Sequence, residues 1–75
     1  MTTLPVVSGG ECVRALQRAN FQLVRRESSH LVLRREDPFA QVTVPDHKEI
    51  DRGTLRAIIR QAGITVDDFA GLLRK

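Results

Sequence analysis

His30 is the residue of this chain best suited to proton transfer. It lies in the segment Ser28-Ser29-His30-Leu31-Val32-Leu33, where a turn-like stretch leads into an alternating run of residues. The chain has two histidines, one cysteine, and neither tyrosine nor tryptophan. Histidine is the side chain whose unperturbed pKa lets it gain and lose a proton near neutral pH. If the chain is an enzyme, His30 is the first candidate for its general acid or base.

Three arginines accompany His30. Arg34 follows it at strand spacing on the same face, and Arg25 and Arg26 precede it on a segment that predicts a paired strand. Guanidinium groups would hold and neutralise a phosphodiester while the imidazole moved a proton to or from one of its oxygens. In RNA the 2′-hydroxyl is a built-in nucleophile, so cleavage would need no metal and no protein nucleophile. The alternative, a half-buried strand histidine with a satisfied hydrogen bond, stays open.

His47 is the second histidine, in the segment Val44-Pro45-Asp46-His47-Lys48. Loops that follow strands often carry functional residues. His47 is therefore a second acid or base, a contact to a phosphate or nucleobase, or a loop histidine bonded to a neighbouring carbonyl. A metal site built from His30, His47 and Asp46 matches no ligand motif, and we expect no metal and no cofactor.

A further basic feature repeats every four residues, at Arg52, Arg56 and Arg60. Such a stripe binds RNA phosphates or an acidic partner, or is the solvated face of an amphipathic helix. The sequence contains no glycine-rich phosphate loop, no nucleophile elbow and no paired-carboxylate signature.

Length and composition limit the possible architectures. With 75 residues there is room for one domain, residues 1–75, and one modest core. The net charge is +3, and ten of the twelve basic residues are arginine, which favours phosphate or carboxylate partners. The single cysteine, Cys12, excludes an intramolecular disulfide and falls on the apolar side of a predicted helix. No apolar run is long enough to span a membrane, and a cytoplasmic location is the default expectation.

The first half of the chain predicts a helix followed by three strands. Ser8 and Glu11 have the spacing of a capping box, so a helix should cover about Gly9–Ala19, with Asn20 as a left-handed C-cap. Alternating residues predict three strands joined by short turns, and therefore antiparallel. The predicted strands are Phe21–Arg26, His30–Arg35 and Gln41–Val44. Leu23, Leu31 and Leu33 should face the core, and Val32 should share the outer face with His30.

The second half predicts two helices. Asp51 is the N-cap of the first, which buries Leu55, Ile58, Ile59 and Ala62 and ends at Gly63. Thr65 caps a last short helix whose inward residues are Phe69, Leu72 and Leu73. The predicted fold is therefore α+β, with helices packed on one face of an antiparallel sheet.

Three segments resemble the HicA family of bacterial mRNA interferase toxins, over a match from Leu4 to about Leu73. Ser29-His30 is similar to the family's Gly-Ser-His element. Val42-Thr43-Val44-Pro45-Asp46-His47 resembles the family's third strand and the loop after it. Gly53-Thr54-Leu55-Arg56-Ala57-Ile58-Ile59-Arg60-Gln61-Ala62-Gly63 is similar to the family's most recognisable run. This resemblance implies a fold like a double-stranded-RNA-binding domain: helix, three antiparallel strands, helix, here with a short C-terminal helix.

The resemblance also implies a function. The family consists of metal-independent endoribonucleases that stop translation by cutting mRNA, and its catalytic histidine corresponds to His30. We expect RNA contacts from Ser29, Arg25, Arg26, Arg34, His47 and Lys48. A cognate antitoxin of the HicB type would bind the toxin, mask the site and join it in repressing their operon. This chain has Ser28 where the family usually has glycine, and Asn20 where glycine usually follows the first helix. Its loop after His47 is shorter than the common version.

Two alternatives to an endoribonuclease fit the same fold. One is a non-catalytic module that uses arginines and helix ends to bind duplex RNA by its shape. The other is a protein-interaction domain whose open sheet face and arginine stripe dock an acidic partner. The first would bind RNA in a salt-sensitive way and leave it intact, and the second would have no affinity for RNA.

Overall fold

The computed structural model describes residues 3–75. In this part of the chain, three helices and one sheet follow the order α1, β1, β2, β3, α2, α3. Their bounds are Gly9–Arg18 for α1, Gln22–Glu27 for β1, His30–Glu36 for β2, Phe39–Pro45 for β3, Arg52–Ala62 for α2 and Val66–Leu73 for α3. The α+β order predicted from the sequence is confirmed. The largest boundary difference is in β3, which begins at Phe39 rather than Gln41.

The three strands form one antiparallel sheet with β2 in the centre. His30, the first residue of β2, lies opposite Glu27 of β1 and Pro45 of β3. The tight turn between β1 and β2 places Ser28 at a φ of 56°. This is the left-handed region, which residues other than glycine adopt only at a cost in conformational free energy. The turn therefore has the geometry expected of a glycine, although a serine occupies it.

The predicted helix caps are present. The Ser8 hydroxyl accepts a hydrogen bond from the Glu11 backbone N–H at 3.1 Å, and the Glu11 carboxylate accepts one from the Ser8 N–H at 2.9 Å. After α1, Asn20 has a φ of 73°, and after α2, Gly63 has a φ of 75°. Asp51 caps the start of α2. These caps satisfy helix-end groups that would otherwise lack partners.

The helices cover one face of the sheet, called here the helix-covered face, and leave the other, the open face, to solvent. The helix-covered face carries Leu31 and Leu33 of β2 and Val42 and Val44 of β3, all buried. They join one hydrophobic cluster with the inward faces of the helices, including Leu16, Cys12, Leu55, Ile58, Ile59, Ala62 and Phe69. This burial follows the predicted periodicity of α2 and places Cys12 in the core, as expected.

Two residues differ from the predicted alternation. Leu23 is 46% exposed, because β1 is an edge strand and its pairing with β2 shifts between Leu23 and Arg25. Val32 is on the open face but only 3% exposed. It lies in the central strand, where its partners in the neighbouring strands are Arg25 and Thr43. The alternation of residues within one strand does not reveal how neighbouring strands change the burial of a side chain.

Candidate functional site

His30 is exposed on the open face. Its imidazole makes no hydrogen bond within residues 3–75. This excludes the alternative of a half-buried strand histidine held by a satisfied bond. An exposed imidazole without a partner is free to bond an incoming ligand, which is the first requirement for proton transfer to a substrate.

A depression of about 380 Å³ adjoins His30. It runs from the open face around the edge strand β3 to the first turn of α2. Its lining comes from the sheet (His30, Thr43, Pro45), from the following loop (His47, Ile50) and from the start of α2 (Asp51, Thr54). The two histidines of the chain therefore share one depression. That volume is at the small end of the range for ligand pockets.

The loop that carries His47 is attached to its surroundings by backbone hydrogen bonds. The Asp46 N–H donates to the Ser29 carbonyl at 2.7 Å, next to His30. The Gly9 N–H, at the start of α1, donates to the His47 carbonyl at 2.8 Å. The Ile50 N–H donates to the Val7 carbonyl at 2.8 Å, and Ile50 is buried. The loop backbone is therefore fixed on both sides of His47, while the His47 side chain is exposed.

At the start of α2, the depression is lined by two polar residues, Asp51 and Thr54, which are hydrogen-bonded to each other. The Asp51 carboxylate accepts hydrogen bonds from the Thr54 hydroxyl at 2.6 Å and from the Thr54 N–H at 3.3 Å. These bonds, the hydroxyl first, lower the pKa of Asp51 below its ordinary value. Asp51 is therefore a carboxylate that is already engaged in capping α2. The sequence indicated Asp51 as a cap, but it contained no signal that Asp51 and Thr54 would face His30.

The three arginines predicted to accompany His30 do not line its depression. Arg25 is on the open face, ion-paired with Glu27, which lies directly opposite His30. Arg34, farther along β2, donates to the Gln41 side chain at 3.2 Å. Among the described residues, no arginine lines the depression.

Arg26 has a different position. It is paired with Leu31, so it points from the edge strand on the helix-covered side. Its guanidinium contacts the Asp46 carboxylate at 2.6 Å and the Ser28 carbonyl at 3.4 Å. Arg26 therefore ties the β1–β2 turn to the loop of His47.

The remaining predicted contacts are at the rim or outside the site. Ser29 precedes His30 and holds the loop through its carbonyl. Lys48 is exposed in the loop but does not line the depression. The stripe of Arg52, Arg56 and Arg60 is fully on the exposed side of α2. None of the three has an ion-pair partner within residues 3–75.

Two further findings concern metals and membranes. No group of three or more His, Cys, Asp and Glu side chains in residues 3–75 is placed to hold a metal ion. In particular, Asp46 contacts Arg26 rather than joining the two histidines. Over the same residues, no helix has both the length and the apolar character that crossing a membrane requires.

Comparison with known proteins identifies a family. A family profile described as the HicA toxin of bacterial toxin–antitoxin systems matches residues 9–64. The match covers all three strands, α1 and α2, and both histidines. A search of curated proteins found no match.

Proposed function

Because the chain belongs to the HicA family of toxins from bacterial toxin–antitoxin systems, we propose that it is an mRNA interferase, an endoribonuclease that cuts mRNA and so inhibits translation. The observation that carries this proposal is the placement of His30. It is an exposed imidazole, without a hydrogen-bond partner in residues 3–75, at the edge of a depression. As a toxin acting on mRNA, the chain would work in the cytoplasm.

The chemistry assigned to His30 is one proton transfer on a phosphodiester. The ribose 2′-hydroxyl attacks the adjacent phosphorus, and the bond from phosphorus to the 5′-oxygen breaks. His30 either takes the proton from the 2′-hydroxyl or gives a proton to the leaving 5′-oxygen. Either transfer contributes about 10²–10⁴-fold to the rate. Because the nucleophile belongs to the RNA, we propose that no metal is required.

Arg25, Arg26 and Arg34 are proposed to bind the phosphates of the RNA, together with Ser29, His47 and Lys48. In the free protein Arg25 and Arg26 are paired with carboxylates, and their side chains are 50% and 55% exposed. Surface ion pairs of this kind contribute only about 0–1 kcal/mol. An RNA phosphate, which offers charge-assisted bonds of comparable or greater strength, can therefore replace the carboxylate partner at little cost.

The decisive experiment is RNA cleavage in the presence of EDTA, with the wild type compared with His30→Ala. We expect the wild type to cut and His30→Ala to be slower by about 10²–10⁴-fold. Glu36→Gln, at the far end of the same strand, is the matched control and should cut normally. Equal cutting by wild type and His30→Ala would remove His30 from the mechanism. Intact RNA that is nevertheless bound in a salt-sensitive way would identify a non-catalytic RNA-binding module instead.

We propose a second interaction, with a cognate antitoxin of the HicB type. His30 is exposed at the edge of the depression, so a protein partner can cover it from the surface. The expected result is that the antitoxin forms a stable complex with the chain and abolishes cleavage. Cleavage that continues at full rate within the complex would show that the antitoxin does not act by covering the site.

A further inference from the structure

The proposed mechanism assigns one proton transfer to His30 and leaves the second to an unnamed group. Cleavage by the 2′-hydroxyl needs two transfers, one from the nucleophile and one to the leaving oxygen. The depression beside His30 is also lined by a second imidazole, that of His47, and histidine is the residue type used most often for proton transfer in catalysis.

We propose that His47 is a second catalytic residue, which performs the proton transfer that His30 does not. This inference rests on the proposed ribonuclease function. In the complete step, one imidazole accepts the 2′-hydroxyl proton as the bond between O2′ and phosphorus forms. The other, in its protonated form, donates a proton to O5′ as the bond between phosphorus and O5′ breaks. The products are a 2′,3′-cyclic phosphate and a 5′-hydroxyl, and no water or other reactant is consumed.

The other groups around the depression are less suitable. Thr43 and Thr54 carry hydroxyls that do not titrate near neutral pH. Three nearby carboxylates already have partners: Asp51 accepts from Thr54, Asp46 is paired with Arg26, and Glu27 is paired with Arg25. Lys48 and Glu49 are exposed in the loop and lie outside the lining. Among the described residues, His30 and His47 are therefore the two side chains of this site best suited to proton transfer.

The attachment of the loop supports a catalytic rather than an incidental role. Its bonds to Ser29, Gly9 and Val7 fix the backbone around His47 relative to the start of β2. A reacting group held in place before the substrate arrives avoids an ordering cost during the reaction. These bonds involve only backbone atoms, and the exposed imidazole makes none within residues 3–75. Replacement of the His47 side chain should therefore leave the fold intact.

The first test compares His47→Ala with the wild type, His30→Ala and the loop control Glu49→Ala, using an mRNA whose cleavage site has been mapped. We expect unchanged thermal unfolding for all variants and a cleavage rate reduced by about 10²–10⁴-fold for His47→Ala. The wild type should have a bell-shaped dependence of rate on pH, and each histidine variant should lose one limb of it. A loss of less than about tenfold for His47→Ala, below the range for one proton transfer, would overturn the proposal.

The second test identifies which histidine is the acid. An oligonucleotide of the mapped sequence carries sulfur in place of the bridging 5′-oxygen at the scissile bond, because a thiolate leaves without protonation. This substrate should restore fast cleavage to the variant that lacks the acid and leave the other variant slow. Rescue of both variants, or of neither, would overturn the division of roles. A wild type that cuts no RNA would instead refute the proposed function itself, so the two failures are distinguishable.

Discussion

The close approach of α1 to the His47 loop predicts a large difference between two neighbouring glycines. Gly9 is buried at the start of α1. A Cβ atom on Gly9 would lie 2.5 Å from the Pro45 carbonyl oxygen and 2.9 Å from the Asp46 Cα. Both are backbone atoms and cannot rotate away. A Cβ on Gly10 would have only the Arg14 guanidinium at 3.7 Å and the Ser8 hydroxyl at 3.9 Å as its nearest contacts.

The expected changes in the free energy of unfolding have opposite signs for Gly9→Ala and Gly10→Ala. In Gly9→Ala, the forced separation of α1 from the loop costs about 1–3 kcal/mol as overpacking. It also stretches the hydrogen bond from Gly9 to His47, worth about 0.5–1.5 kcal/mol. The higher helix propensity of alanine relative to glycine offsets at most about 1 kcal/mol of this loss. The net loss of about 0.5–4.5 kcal/mol should lower Tm by roughly 2–35 °C in a domain of this size.

Gly10→Ala serves as the matched control, since it has the propensity gain without the clash. Its Tm should rise by a few degrees. Thermal unfolding followed by circular dichroism measures both values, and urea unfolding gives the corresponding free energies. If Gly9→Ala were as stable as Gly10→Ala, the packing of α1 against the loop would be wrong. The inferred fixation of His47 would then lose its basis.

Four other predictions concern single residues. Ser28→Gly should raise the free energy of unfolding by about 0.5–1 kcal/mol in urea titration, because it relieves a positive φ. Asn20→Gly should raise it less, since Asn tolerates that region. The hydrogen bonds that lower the pKa of Asp51 stabilise the fold when the carboxylate is ionised. This stabilisation is complete at pH values above the ordinary pKa of Asp, and it is lost as the pH falls through the lowered pKa. Asp51→Asn should therefore have a flatter dependence of urea midpoint on pH in acid, and an unchanged dependence would contradict the assignment. Burial raises the pKa of Cys12 to about 12, so iodoacetamide should label its thiol at neutral pH only after unfolding, as judged by mass spectrometry.

Local patterns predicted the fold well where a few neighbouring residues determine the conformation. The spacing of Ser8 and Glu11 sets the start of α1, and Gly63 sets the end of α2. Predictions that depended on neighbouring strands were weaker. Leu23 is exposed because its strand is at the edge of the sheet, and Val32 is covered because its strand is in the centre. Strand order and pairing irregularities decide both outcomes, and neither is encoded in the alternation of one strand.

The same distinction between local and long-range determinants applies to the candidate site. Residue type and strand position predict His30 as a site residue. His30 is exposed, and its catalytic role stays a prediction. The shared depression with His47 depends on the path of the loop between β3 and α2. That path is set by hydrogen bonds to Ser29 and Gly9, which lie on other elements. Such long-range backbone bonds leave no pattern in the local sequence, so the sequence alone keeps several roles open for His47.

The arginines illustrate why charge composition overestimates the basic surface available to RNA. Arg35 bonds the carbonyls of Pro38 and Ala62, each at 3.0 Å, and stacks over the Phe21 ring at 4.7 Å. Arg18 bonds the Leu72 carbonyl at 2.7 Å. These two side chains connect helices and strands, since a guanidinium can satisfy several carbonyls at once. Arg18 and Arg35 are therefore occupied in holding the fold together. Under the proposed function, the attraction of RNA would come from the arginines on the open face and on the exposed side of α2.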